Sequence, residues 1–183
     1  AIITMELLEN ANLLVPTLLG EYYYNKPPLF NWMLLVFARL AGGFQEWALR
    51  LPTVLSLLLW AGLIYFHGRR SVSVRYGWYS ALLTLTCGAF LYYFSLIAEI
   101  DLFYSLLTFA GIMPLYYSYR SERWLATFMT IYGLAALGFL TKGLPSIAFT
   151  GISVLTWLGY HRDWKRLFSW QHIAGGVFFL III

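Results

Sequence analysis

"TFMTIYGLAALGFLTKGLPSIAF", residues 127–149, is two apolar runs joined by one short turn, and Lys142 is its only charge. Backbone N–H and C=O groups inside a bilayer need partners within the protein, so runs like these cross as helices. The rest of the chain agrees. Of its 183 residues, 61% are apolar and 11% charged, against roughly a quarter charged in soluble domains. Mean hydropathy is +0.70. The alternating pattern of a membrane barrel is absent. One cysteine, Cys87, excludes an internal disulfide framework. There is no P-loop, dinucleotide fingerprint or nucleophile elbow. Basic residues follow the membrane loops, which gives nucleic-acid binding no support.

Five apolar segments read as crossings, at 51–66, 77–98, 102–118, 124–140 and 144–160, and a sixth begins at 173–183. The expected fold class is all-α, a polytopic membrane helix bundle in one domain, 1–183. Residues 1–47 form an outer-face loop with interfacial helices; 48–183 hold the crossings. Ala1 is not a start methionine and "GGVFFLIII" stops inside an apolar run, so both ends are expected to be cut. The stretch 29–41, "LFNWMLLVFARLA", reaches only about 20 Å as a helix against a core of ~30 Å. It is expected to lie in the interface.

The loops "HGRRSVSVR" (67–75), "YRSER" (119–123) and "HRDWKR" (161–166) contain Arg69, Arg70, Arg75, Arg120, Arg123, Arg162, Lys165 and Arg166. Successive loops are separated by two crossings, so all three share one face, which the positive-inside rule makes cytoplasmic. By the same parity "AEID" (98–101) and the turn at 141–143 lie outside, with Lys26. The expected localisation is a multi-pass cell-membrane protein whose site faces the periplasm or exterior.

Four ionisable residues thus share the outer rim: Lys26, Glu99, Asp101 and Lys142. Lys26 precedes Pro27 and Pro28, and proline suits a helix start because its missing amide hydrogen would be unpaired there. Partial positive charge at a helix start, with a lysine beside it, favours anions. The plainer reading is a snorkelling lysine in an aromatic belt of Tyr22, Tyr23, Tyr24 and Trp32. Lys142 repeats the pattern before Gly143 and Pro145. Asp101 can simply cap a helix, yet acids at membrane depth are costly and mark function. Two lysines for a phosphate and a carboxylate for acid–base or positioning work suit a transferase. The candidate catalytic residue is Asp101, and the candidate substrate-binding residues are Lys26, Lys142, Tyr24 and Glu99. No histidine is spaced as a metal ligand. The rival class is a secondary transporter or flippase for a lipid-linked or anionic substrate, which would use acids near mid-bilayer.

Four blocks in order, "LLVPTLLGEYYYNKPPLFNWML" (13–34), "ALRLPTVLSLL" (48–58), "AEIDLFYSLLTFAG" (98–111) and "GFLTKGLPSIAF" (138–149), resemble the membrane half of the GT-C glycosyltransferases. These are the protein O-mannosyltransferase and aminoarabinose transferase superfamily. The resemblance implies transfer of a sugar from a polyprenyl-phosphate carrier to a lipid, glycan or protein hydroxyl on the non-cytoplasmic face. It implies a carrier-phosphate contact for Lys26 and cavity positions for Asp101 and Lys142. It also implies a main catalytic carboxylate in an Asp-Glu-x-Arg-Tyr-like segment ahead of Ala1, so the piece 1–183 is expected to be inactive alone. Asn25 stands where the aminoarabinose branch often has glutamate. No cofactor is implied with certainty, and a divalent metal is left open.

Overall fold

The computed structural model describes residues 2–9, 12–94, 96–118 and 122–183; Ala1 and Arg120 lie outside them. The backbone clusters into two compact units, Ala1–Leu106 and Leu107–Ile183.

The first unit opens with α1 (Ile2–Glu9), a hairpin of β1 (Thr17–Leu18) and β2 (Glu21–Tyr22), and α2 (Leu29–Leu40). The strands pair antiparallel, Thr17 with Tyr22 and Leu18 with Glu21. The sequence reading has no hairpin here. Its two turn residues, Leu19 and Gly20, have φ of 56° and 82°, the left-handed region that a two-residue hairpin turn needs. Leucine adopts it at a penalty, which the Glu6 carboxylate offsets by accepting from the amides of Leu19 at 2.6 Å and Gly20 at 3.3 Å. The Thr17 hydroxyl, with those two amides, holds the Glu6 carboxyl below its ordinary pKa.

Helix α2 fits the short interfacial helix expected at 29–41, and its 12 residues span about 18 Å. Pro28 is its cap and accepts from the Trp32 amide at 2.9 Å. Phe30, Leu34 and Ala38, one turn apart, form its buried stripe and pack with Leu49 and Ile100.

Next comes α3 (Glu46–Ser71), 26 residues long. It starts before the expected 51: the Gln45 carbonyl accepts from the Leu49 amide at 3.2 Å, and Glu46 pairs with Arg50 one turn on. It also runs past 66, so His67, Arg69 and Arg70 lie in its last turns and not in a loop. Gly68 then packs against Gly77 of α4 (Val74–Leu85).

The crossing expected at 77–98 is broken. Helix α4 has 12 residues, and a π-helical turn, Phe90–Phe94, follows separately. The reason lies in "TLTCG" (84–88): Thr84 and Thr86 hydroxyls bond back to the Ser80 and Leu82 carbonyls at 2.9 and 2.7 Å. Such back-bonding weakens a helix, and glycine follows. Hydropathy alone hides this.

Helix α5 (Ile100–Ser118) leads from the first unit into the second. The second unit also holds α6 (Trp124–Lys142), α7 (Leu144–Tyr160), a 3-10 turn at Trp164–Phe168 and α8 (Trp170–Ile182). Its core is Leu115, Trp124, Phe128, Ile131, Val154 and Leu158. Tyr132 and His172 hydrogen-bond at 2.6 Å between α6 and α8.

Among the described residues three helices, α3, α5 and α6, are long and apolar enough to cross a membrane. Of the other two expected crossings, α4 is interrupted, and α7 has 17 residues, the short end of the ~17–25 that span a bilayer. The class itself stands. This is a polytopic helical membrane protein with a short interfacial helix.

Candidate functional site

The site grows from the start of α2. Pro27 and Pro28 fix the chain as it enters the helix, which holds Lys26 at its mouth. A hollow of about 160 Å³ opens there, lined by Lys26, Tyr23 and Ile3, by Phe30, Asn31 and Leu34 of α2, and by Ala98, Glu99 and Ile100. One wall is apolar and built into the packed stripe of α2. The other residues bring one cation, one acid, an amide and a phenol to a single concave surface.

Glu99 is held by its backbone. Its amide donates to the Ile97 carbonyl at 2.8 Å, and its own carbonyl accepts from the buried Thr53 of α3 at 3.4 Å. Among the described residues Lys26 makes no ion pair and no hydrogen bond. Lys26 and Glu99 thus line one hollow without neutralising each other, and the ammonium is available to an anion.

The expected site residues divide. Lys26 and Glu99, 73 positions apart in sequence (99 − 26), do share the hollow. Asp101 sits in the first turn of α5, not at the cap, where its charge complements the helix start. Tyr24 is 79% exposed and does not line the hollow; its neighbour Tyr23 does. Lys142 belongs to the second unit, in the last turn of α6. There Gly143, at φ 75°, ends α6 and starts α7, and Pro145 lies in the first turn of α7. The buried Ser146 hydroxyl donates to the Ala135 carbonyl at 2.7 Å and ties the two helices together.

Asn31 and Tyr23 are the lining residues with polar side chains that the expected set lacks. Tyr23 was distinguishable from its neighbours only through the hairpin: its amide donates to the Pro16 carbonyl at 2.9 Å, which extends the ladder and fixes its direction. Among the described residues no three His, Cys, Asp or Glu side chains gather as a metal site.

A cationic corner beside a short interfacial helix, in a chain of long apolar helices, places the chain in the class of polytopic helical membrane proteins. Comparison with known proteins makes this specific. Residues 25–183 match the family model described as dolichyl-phosphate-mannose-protein mannosyltransferase, and the chain belongs to that family. It is 30% identical over 175 residues to the undecaprenyl phosphate-alpha-4-amino-4-deoxy-L-arabinose arabinosyl transferase of Edwardsiella ictaluri, covering 94% of this chain and 32% of the relative. A second such transferase, from Sodalis glossinidius, is 27% identical over 192 residues with the same coverage. The chain spans about a third of the length of these curated relatives. The crystal structure of ArnT from Cupriavidus metallidurans in the apo state superposes with a TM-score of 0.83, 24% identity, and coverage of 99% of this chain and 34% of that one. The same protein bound to undecaprenyl phosphate also gives 0.83, at 23% identity. These two likenesses establish the GT-C fold.

Proposed function

We propose that this chain supplies the carrier-binding part of a membrane glycosyltransferase that takes a sugar from a polyprenyl phosphate. The observation that carries the proposal is the hollow in which Glu99 and a Lys26 that has no ion pair among the described residues line one surface with an apolar wall. Lys26 holds the carrier phosphate and stabilises the charge it gains on leaving. The prenyl chain enters along α2 from the bilayer. Lys142, in the second unit, is proposed as a further substrate-binding cation. The acceptor hydroxyl attacks the anomeric carbon, the bond to the phosphate oxygen breaks with its electron pair, and a carboxylate takes the hydroxyl proton. Asp101 supports that carboxylate or positions the acceptor. The anomeric carbon inverts.

The names of the relatives support the carrier class, as does the solved relative bound to undecaprenyl phosphate. Sidedness is part of the proposal, with the site facing the periplasm or exterior. In the first unit the hollow adjoins Thr53 near the start of α3, while Arg69 and Arg70 lie at its far end. In the second unit Arg166 stacks 4.5 Å over Trp124 at the start of α6, and Lys142 ends that helix. Each unit thus separates its proposed site lysine from a basic end, which the positive-inside rule puts in the cytoplasm.

The test is sugar transfer by the full-length protein from a labelled polyprenyl-phosphate sugar. Lys26→Ala should lower the rate about 100-fold, the usual loss when one transition-state charge contact is removed. Unimpaired transfer would remove Lys26 from the mechanism.

A further inference from the structure

Asn31 lies in the first turn of α2 and lines the hollow with Lys26 and Glu99. Its Oδ1 accepts from the Thr4 hydroxyl at 3.2 Å, a contact reaching 27 residues back to α1. Thr4 is fully buried, 0% exposed, beside Leu7 at 1%. A carboxamide carries one acceptor oxygen and two N–H donors. With the oxygen engaged by a hydroxyl locked in the α1 core, the amide is oriented and its N–H groups remain as donors.

Lysine supplies a compact, rotatable charge and little direction. A fixed amide supplies direction. Glu99 can only accept when ionised, so it suits hydroxyls and repels a phosphate. The hollow therefore has two donors at the α2 side and an acceptor at the 98–100 side.

We infer that Asn31 orients the carrier phosphate, donating its side-chain N–H to a phosphate oxygen beside Lys26, with Glu99 left for the sugar hydroxyls. This rests on the proposed function above and adds a second, directional contact to it. The residue is not assigned by the Lys-Pro-Pro pattern; the Thr4 contact is what sets it apart.

The experiment measures binding of undecaprenyl phosphate alone, then of the sugar-loaded carrier, to the full-length protein in lipid nanodiscs. Asn31→Ala should weaken binding of the unloaded carrier about tenfold, as a hydrogen bond to a charged group would. Asn31→Asp should weaken it further, because it puts a like charge beside the phosphate. That variant keeps the acceptor for Thr4 and the side-chain shape, so a purely structural role for Asn31 predicts parent-like binding. Thermal unfolding of Asn31→Asp near the parent value confirms that the fold is intact. Parent-like binding by Asn31→Asp while Lys26→Ala is impaired overturns the role of Asn31 and leaves the carrier site standing. A loss confined to the sugar-loaded carrier also overturns the phosphate contact. Parent-like binding by Asn31→Asp and Lys26→Ala together overturns both.

Discussion

The chain has two lysine–proline corners, and they do different things. At 26–28 the prolines start an interfacial helix and leave Lys26 over a hollow that also holds Glu99. At 142–145 the lysine ends one apolar helix, and a glycine at φ 75° reverses the chain into the next. In the first corner the special backbone serves the side chain. In the second it serves the packing of α6 on α7, through Ser146 and the Ala135 carbonyl. A shared sequence pattern therefore marks a helix boundary, and the surroundings decide what the lysine is for.

The sharpest way to break this comparison is to remove each lysine in the full-length protein. Lys26→Ala should cut transfer about 100-fold. Lys142→Ala should cut it about tenfold, the scale of a lost charged hydrogen bond. Equal losses would make the two corners functional equivalents.

Gly143→Ala should do the reverse, leaving carrier binding near the parent value and lowering stability by about 1–3 kcal/mol, the strain of a side chain at such a backbone conformation. Thermal unfolding in detergent measures it. A matching Lys26→Ala variant should unfold within about 0.5 kcal/mol of the parent, as exposed substitutions do.

A smaller effect sharpens the same point in the hairpin that precedes Lys26. Leu19→Gly relieves the left-handed turn residue and should stabilise by about 1 kcal/mol or less, again by thermal unfolding. Smallest is the pH response of Glu6. Its folded pKa is lowered, so its contribution is present above the unfolded value of about 4.3 and fades as pH falls through the folded value. Amide exchange at Leu19 and Gly20, normalised to the intrinsic rate at each pH, should rise on acidification. In Glu6→Gln it should be fast already at neutral pH.

Much of this was legible in residues. The runs at 124–140 and 144–160 became α6 and α7, and proline at 27–28 with glycine at 42–43 bounded α2. Charge at a membrane rim singles out Lys26 and Glu99, and both line the hollow. Three features were hidden. The interruption after Leu85 depends on threonine hydroxyls turning back on their own helix. The hairpin lacks an Asn-Gly or Asp-Gly signal, and forms where Glu6 satisfies the turn from 13 residues away. Asn31 is ordinary until Thr4 reaches it from α1. Local pattern shows the helices; contacts between distant segments set the site.

The most direct test is a structure of the full-length protein with a polyprenyl phosphate bound. The account predicts the phosphate within hydrogen-bond reach of the Lys26 Nζ, in the hollow shared with Glu99. A phosphate seated elsewhere, with Lys26 turned to solvent, would contradict it.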